Sequence, residues 1–464
     1  MKDLTQGPIG RHLVEMSIPI AVGMLLQTLY FLVDLYFVSR LGDAAIAGVS
    51  AAGNVMMVVF ALTQMLGVGT VALMSHAVGR KDQAEAIHIF NQSIVLAVMC
   101  AAVTVGGGYG LAGWYMGTLG ADAATREAGV SFLHAFIPGL GLQFALVVMG
   151  SALRGTGIVK PTMVVQMVTV LLNTVLAPVM IAGWGTGLPL GVAGAGWAST
   201  ISVAAGVAVL SVYYVKLESY VSFDGAQLAP DVRTWGRLLN IGIPSGGEFL
   251  FMGLYSAIIY WIIRDFGAAA QAGFGIGSRI LQAVFLPAMA VAFAAAPIGG
   301  QNFGARLPQR VRETFNVSAI ACCSIMLALA VIVHWQGASM VRFFTADEQV
   351  VAFASEFLSV ISFNFVAAGL VFTCSSLFQA LGNTWPSLIS MATRVLTFAI
   401  PAVWLSARPG FQIVDAWHLS VVTVIIQACL SYVLARLQMR ERLGPLSVVP
   451  RVEGVAQAVA QQVE

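Results

Sequence analysis

Charge is what this sequence lacks. Only 9% of its 464 residues are Asp, Glu, Lys or Arg, against about 25% in soluble domains. A chain of this length, 58% hydrophobic and with a mean hydropathy of +0.87, cannot cover itself with polar surface. The bilayer is the solvent that resolves the mismatch. Runs of like charge are missing too, and a net charge of +2 argues for no nucleic-acid partner. Cysteine is scarce: Cys100, Cys322, Cys323, Cys374 and Cys429 all fall in apolar stretches with no zinc or redox spacing. They read as small hydrophobes between helices, without a disulfide framework. No Gly-x-x-x-x-Gly-Lys-Ser/Thr loop, His-Glu-x-x-His helix or Gly-x-Ser-x-Gly elbow occurs. No polar segment is long enough for a nucleotide-binding domain. ATP is therefore not expected as the direct energy source, and no enzymatic constellation or metal site is expected.

What the chain has instead is apolar length. A spanning helix needs about 20 mostly apolar residues, and twelve such stretches follow one another. The first six are roughly 13–39, 46–78, 88–115, 128–152, 160–183 and 191–215. The second six are roughly 237–263, 270–303, 314–336, 351–378, 385–407 and 413–436. The first stretch is too long for a signal-peptide core and holds Asp34, so it reads as a retained span. With the N-terminus placed in the cytoplasm, sixteen of the 23 Lys and Arg fall on the inside and five on the outside, and Arg279 and Arg394 lie within spans. The positive-inside rule then predicts both termini in the cytoplasm of a bacterial-type inner membrane.

The second half repeats the first at an offset of 225, which pairs Pro19 with Pro244, Tyr30 with Tyr255, Gly42 with Gly267 and Gly79 with Gly304. The same register pairs Phe90-Asn91 with Phe315-Asn316, Asp122 with Asp347, Gly157 with Gly382 and Pro161 with Pro386. An even number of spans per half gives both halves the same orientation. Such parallel repeats are related by an axis along the membrane normal, with substrate at their interface. The expected architecture is an all-α integral membrane protein of twelve transmembrane helices in two parallel-repeat six-helix bundles. Residues 1–215 form an N-lobe, 216–236 a cytoplasmic linker, 237–436 a C-lobe and 437–464 a cytoplasmic tail.

A carboxylate at mid-helix costs about 2.5–3.5 kcal/mol on insertion scales and marks function by default. Two stand out, Asp34 in the first span and Glu248 in the seventh. Gln27, Tyr30 and Asp34 share one helix face by their spacing; Glu248, Met252 and Tyr255 share another. Tyr30 and Tyr255 are repeat partners, as are Gln27 and Met252. The two faces are expected to turn toward one substrate cleft. The acids are not repeat partners: Asp34 matches Ile259, and Glu248 matches Gly23. Arg279 and Arg394 read as helix-packing or helix-end residues. His76 and His334, near span ends, read as capping or snorkelling groups.

The chain resembles the multidrug and toxic compound extrusion (MATE) family. The resemblance is carried by Ile18-Pro19 through Asp34-Leu35-Tyr36-Phe37-Val38 to Leu41-Gly42, and by Leu153-Arg154-Gly155-Thr156-Gly157 with Pro161. Asn173 through Pro178, Gly194-Ala195-Gly196-Trp197-Ala198-Ser199, and Gln379-Ala380-Leu381-Gly382 with Pro386 extend it over most of positions 10–440. It implies a two-lobe antiporter that exports small, cationic organic substrates, driven by protons or sodium ions. By position, Asp34 is the implied N-lobe coupling carboxylate, with Asn173 and Ser199 as polar partners. Many relatives carry an aspartate where this chain has Ala177. Losing that carboxylate favours a proton over a sodium ion as the coupling ion. Glu248 is a candidate second coupling site, without a matched helical turn in the family. No other cofactor is implied, and one chain supplies both lobes, so a monomer is expected. A lipid-linked oligosaccharide flippase of the wider superfamily is the alternative, disfavoured because an anionic pyrophosphate would need a cationic cleft. An intramembrane enzyme or receptor would need a constellation that is absent.

Overall fold

The computed structural model describes residues 1–120, 122–185 and 187–444, with the side chains of Phe31, Leu32, Asp34 and Leu35 outside that description. The C-terminal tail beyond 444 also lies outside it. Among the described residues every long element is a helix. The first half contains α1 (Ile9–Ser39), α2 (Asp43–Gly79), α3 (Gln83–Leu119), α4 (Ala123–Gly155), α5 (Lys160–Ala182) and α6 (Gly191–Lys216). The second contains α7 (Val232–Ile263), α8 (Ala268–Gly304), α9 (Pro308–Arg342), α10 (Glu348–Ile361), α11 (Phe365–Ala380), α12 (Trp385–Ser406) and α13 (Ile413–Leu443). Helices α10 and α11 are one span, interrupted by a single 3-10 turn at Ser362–Asn364. Among the described residues there are thus twelve membrane-length apolar helices, and the chain is a multi-pass membrane protein.

The repeat residues have physical tasks. Gly42 and Gly267 begin α2 and α8 at φ +103° and +89°, a backbone that a side chain disfavours. Asp122 caps α4 by accepting from the Thr125 amide, and Asp347 caps α10 by accepting from the Gln349 and Val350 amides. Lys81 and Arg306, also repeat partners, are the two non-glycine residues with left-handed φ among the described residues. The exposed apolar stripes repeat as well: Ile18, Leu25, Leu29 and Tyr36 on α1 answer Ile243, Leu250, Leu254 and Trp261 on α7.

Two large apolar clusters fill the two halves, but the lobe boundary is not a clean cut between them. Leu13 and Met16 of α1 join the C-lobe cluster, and their repeat partners Leu238 and Ile241 of α7 join the N-lobe cluster. Each lobe lends the start of its first helix to the other. The reason is backbone proximity at a pseudo-two-fold axis. A Cβ on Gly79 would overlap the Gln301 carbonyl oxygen, and one on Gly304 would overlap that of His76. His76 and Gln301 are themselves repeat partners.

The linker does not hang free. Segment 217–231 is strapped onto α3, where Asn91 Nδ2 donates to the Ser222 carbonyl at 3.0 Å and Gln92 Nε2 to those of Gln227 and Ala229 at 2.7 and 2.8 Å. Helix α7 starts at Val232, earlier than the apolar pattern suggested, because Asp231 caps it by accepting from the Arg233 amide. Hydrogen bonds from Thr234 and His88 hold the Asp231 carboxyl well below the usual carboxylate range.

Candidate functional site

In the N-lobe, α1 packs along α5. Asn173 of α5 and Ser199 of α6 are fully buried, and Asn173 Nδ2 donates to Ser199 Oγ at 3.4 Å. Two buried polar groups in a membrane helix bundle are costly unless they pair, and these two pair with each other; the expectation that both partner Asp34 falls on a side chain outside the described residues. Tyr30 is buried and Gln27 half-buried on the α1 face predicted to carry them. Asp34 lies on α1, but its side chain is outside the described residues.

In the C-lobe, the predicted α7 face divides. Glu248 is half-buried and accepts a hydrogen bond from Ser375 Oγ of α11 at 3.4 Å, while Ser387 of α12 donates to Ser375 at 2.8 Å. Two turns further on, Tyr255 is buried, its hydroxyl 2.7 Å from Ser420 of α13 and its ring 4.7 Å from that of Phe398. Glu248 and Tyr255 therefore turn into their own lobe rather than out of it, which corrects the expectation of one shared cleft face. Met252 is rotated by about 60° from Tyr255 at 100° per residue and is 50% exposed. It lies on the flank opposite the exposed apolar stripe of α7, beside the turns that meet the N-lobe. Those turns are Gly246 against Ala61 and Gly253 against Met57.

Sequence reasoning missed the hydroxyls of Ser375, Ser387 and Ser420, because serines are frequent in spans and periodicity cannot single them out. It also read His76 as a local cap. His76 Nε2 instead crosses to the C-lobe and donates to the Ala380 carbonyl at 2.7 Å, while Gln301 Nε2 crosses to the N-lobe and donates to Gly155 at 2.9 Å. Gly155 and Ala380 are repeat partners, so the two bonds are one contact made twice. Leu4 is buried beside them and holds Gln301 Oε1 by its amide at 3.0 Å. All these bridges lie at the end of the bundle that carries the N-terminal residues and the end of α13. Next to them, a cavity of about 250 Å³ is lined by His76, Arg237, Asn240 and Arg442. Helix α1 packs against α8 and α7 against α2, so the first helix of each lobe lies along the second helix of the other.

Two helical lobes packed about a pseudo-two-fold axis, each holding polar groups among its apolar helices, are the architecture of a membrane transport protein. The MatE family model matches the chain twice, over residues 19–179 and 244–405, and the chain belongs to that family. It is 26% identical over 422 residues to the "Probable multidrug resistance protein YpnP" of Bacillus subtilis, covering 89% of this chain and 90% of that one. It is 23% identical to the "FAD transporter" of Shewanella oneidensis, covering 88% of this chain and 91% of that one. The fold superposes on a MOP superfamily transporter from Pyrococcus furiosus with a TM-score of 0.88 at 23% identity, covering 95% of this chain and 98% of that one.

Proposed function

We propose that this protein is a proton-coupled antiporter that exports small organic cations across a bacterial-type inner membrane by alternating access, with both termini cytoplasmic. The observation that carries the reading is the bonded joint between the lobes at the terminal end. The Gly79–Gln301 and Gly304–His76 approaches close the terminal end, where His76 and Gln301 also bond across the lobes. A rocking motion about that axis exchanges which end is closed, and the contact is made of few directional bonds that can break together. With the termini inside, this is a state closed toward the cytoplasm.

Coupling is assigned to Asp34, on the helix that packs along α5 with its buried Asn173–Ser199 pair. A proton and an organic cation compete for one ionised carboxylate, so protonation from the outside releases the substrate. Glu248 supplies a second carboxylate in the C-lobe, with Ser375 as its hydrogen-bond donor. Relatives named for multidrug resistance support a small-molecule cargo. A single chain provides both lobes, so the reading needs no second copy.

The test is reconstitution into liposomes with tetraphenylphosphonium as cargo. An imposed pH gradient is expected to drive accumulation in the wild type and not in Asp34→Asn. A sodium gradient alone, at equal pH, is expected to drive none. Sodium-driven, pH-independent transport would overturn the assignment of the coupling ion.

A further inference from the structure

The C-lobe interior holds a second charged group that the cation-export reading leaves unused. Arg394 lies at the middle of α12, on the same helix face as the buried residues Ser387, Met391, Phe398 and Ala402. The lipid-facing side of α12 is the opposite one, with Ile389, Leu396, Ile400 and Val403 exposed. Arg394 thus points into the lobe, yet it stays half-exposed. Its guanidinium lies over the Tyr255 ring, 4.5 Å from the centroid. Its Nε has no hydrogen-bond partner, and among the described residues no carboxylate forms an ion pair with it.

An arginine at this depth is expensive, and it is ordinarily paired. The scaffold does not require it. The repeat partner of Arg394 is Thr169, buried on the equivalent helix α5 with its hydroxyl bonded to its own helix at the Val165 carbonyl. The same helix is therefore built in the N-lobe without a cation.

The placement of Arg394 relative to Glu248 follows from two helices running side by side in the same direction. Trp385 of α12 bonds Asn240 of α7 at the start of both helices. Gly247 lies against Leu388, and Tyr255 lies against Arg394 and Phe398. Seven residues separate Glu248 from Tyr255, and seven separate Ser387 from Arg394. Two turns put the carboxylate and the guanidinium about 10 Å apart along the lobe, too far to neutralise each other. Between the two levels the lobe offers the half-buried face of α12. Ser420, bonded to Tyr255 and to Asn364 Nδ2, borders the Arg394 end.

We propose that the C-lobe is a dipolar substrate subsite in which Arg394 receives a carboxylate or phosphate of the cargo while Glu248 faces its cationic end. The substrates this transporter prefers are then organic zwitterions, not simple cations. A guanidinium held flat on an aromatic ring presents its edge donors to a planar anion. The inference rests on the transport reading above but adds the polarity of the cargo, which that reading does not specify.

A matched dye pair separates the two. Rhodamine B carries a free carboxylate and is a zwitterion at neutral pH; its ethyl ester is a cation of nearly the same shape. Binding is measured by fluorescence anisotropy on the purified full chain. The wild type is expected to bind the acid more tightly than the ester. Arg394→Gln is expected to weaken the acid by about tenfold or more, the scale of a lost charge-assisted contact, and the ester by less than about twofold. Arg394→Lys should recover part of the acid affinity. Retained ester binding in the variant reports that it is folded. A wild type with no preference for the acid, or an Arg394→Gln variant that loses both dyes equally, overturns the proposal. Transport of the ester driven by a pH gradient then still stands or falls alone as the test of antiport.

Discussion

At the scale of single residues, the membrane makes each polar side chain find a partner, and the partners show which residues act together. Tyr255 is an instance. Its hydroxyl and Ser420 Oγ are 2.7 Å apart in a dry helix interface, where one interhelical hydrogen bond contributes about 0.6–1 kcal/mol. A double-mutant cycle of Tyr255→Phe and Ser420→Ala, read by thermal unfolding in detergent, is expected to show a coupling of that size. Purely additive losses would contradict the bond. Asp231 lies outside the spans and makes a pH prediction. Its carboxyl is held below its ordinary range by Thr234 and His88, so the folded state favours the charged form. The stability it contributes is present above the unfolded value of about 3.9. It is lost as the pH falls further. Asp231→Asn should flatten that part of the acid limb of the stability curve, and an unchanged acid limb would refute the role.

At the scale of elements, α2 and α8 approach closely at Gly79 and Gly304. A methyl group at either position meets a carbonyl oxygen of the other lobe, and overpacking of this kind costs about 1–3 kcal/mol. Because the contact belongs to one closed end, the cost falls on that conformation and not on folding of either lobe. Gly304→Ala is therefore expected to shift the population toward states open at the terminal end. Spin labels on α2 and α8 near that end should report longer distances in the variant. Equal distances with a lowered unfolding temperature would assign the glycine to general stability instead. The hydrogen bonds His76–Ala380 and Gln301–Gly155 tie α2 to α11 and α8 to α4 at the same end, and His76→Ala should move the distances in the same direction.

At the scale of the whole molecule, the parallel repeat makes one scaffold serve twice, and the chemistry differs between the copies. Asn173 and Ser199 in the N-lobe have Phe398 and Val424 as repeat partners, while Glu248 and Arg394 in the C-lobe have Gly23 and Thr169. The shared positions are those of backbone geometry: glycines at left-handed turns, aspartate caps and lipid-facing stripes. The orientation proposed for this scaffold yields a further prediction. In a cysteine-free background, Gly225→Cys in the linker should be labelled by an impermeant maleimide only from the cytoplasmic side. Asp265→Cys, beyond the end of α7, should be labelled only from outside. The opposite pattern would invert the direction of every transport step proposed above.

Much of this protein could be read from its residues, because a bilayer removes alternatives. Twelve apolar stretches of spanning length have no other stable solution than helices with their backbone bonds satisfied internally. The offset of 225 makes the two halves alike, and residue types with one physical use, such as Gly42 and Asp122, mark the same turns in each. Resemblance to a family singled out Asn173 and Ser199 as partners of Asp34, while their bond to each other came from the structure. Tertiary structure alone decided which way each face turns. Helical spacing puts Glu248, Met252 and Tyr255 on one side of α7, but it cannot tell whether that side meets a cleft or its own lobe. Packing against α11, α12 and α13 decided it, by offering hydroxyls to Glu248 and Tyr255 and leaving Met252 outside. The exchange of helix starts between the lobes and the crossing bond of His76 were invisible for the same reason: they depend on where two backbones approach, and spacing along one chain carries no information about distance to another helix.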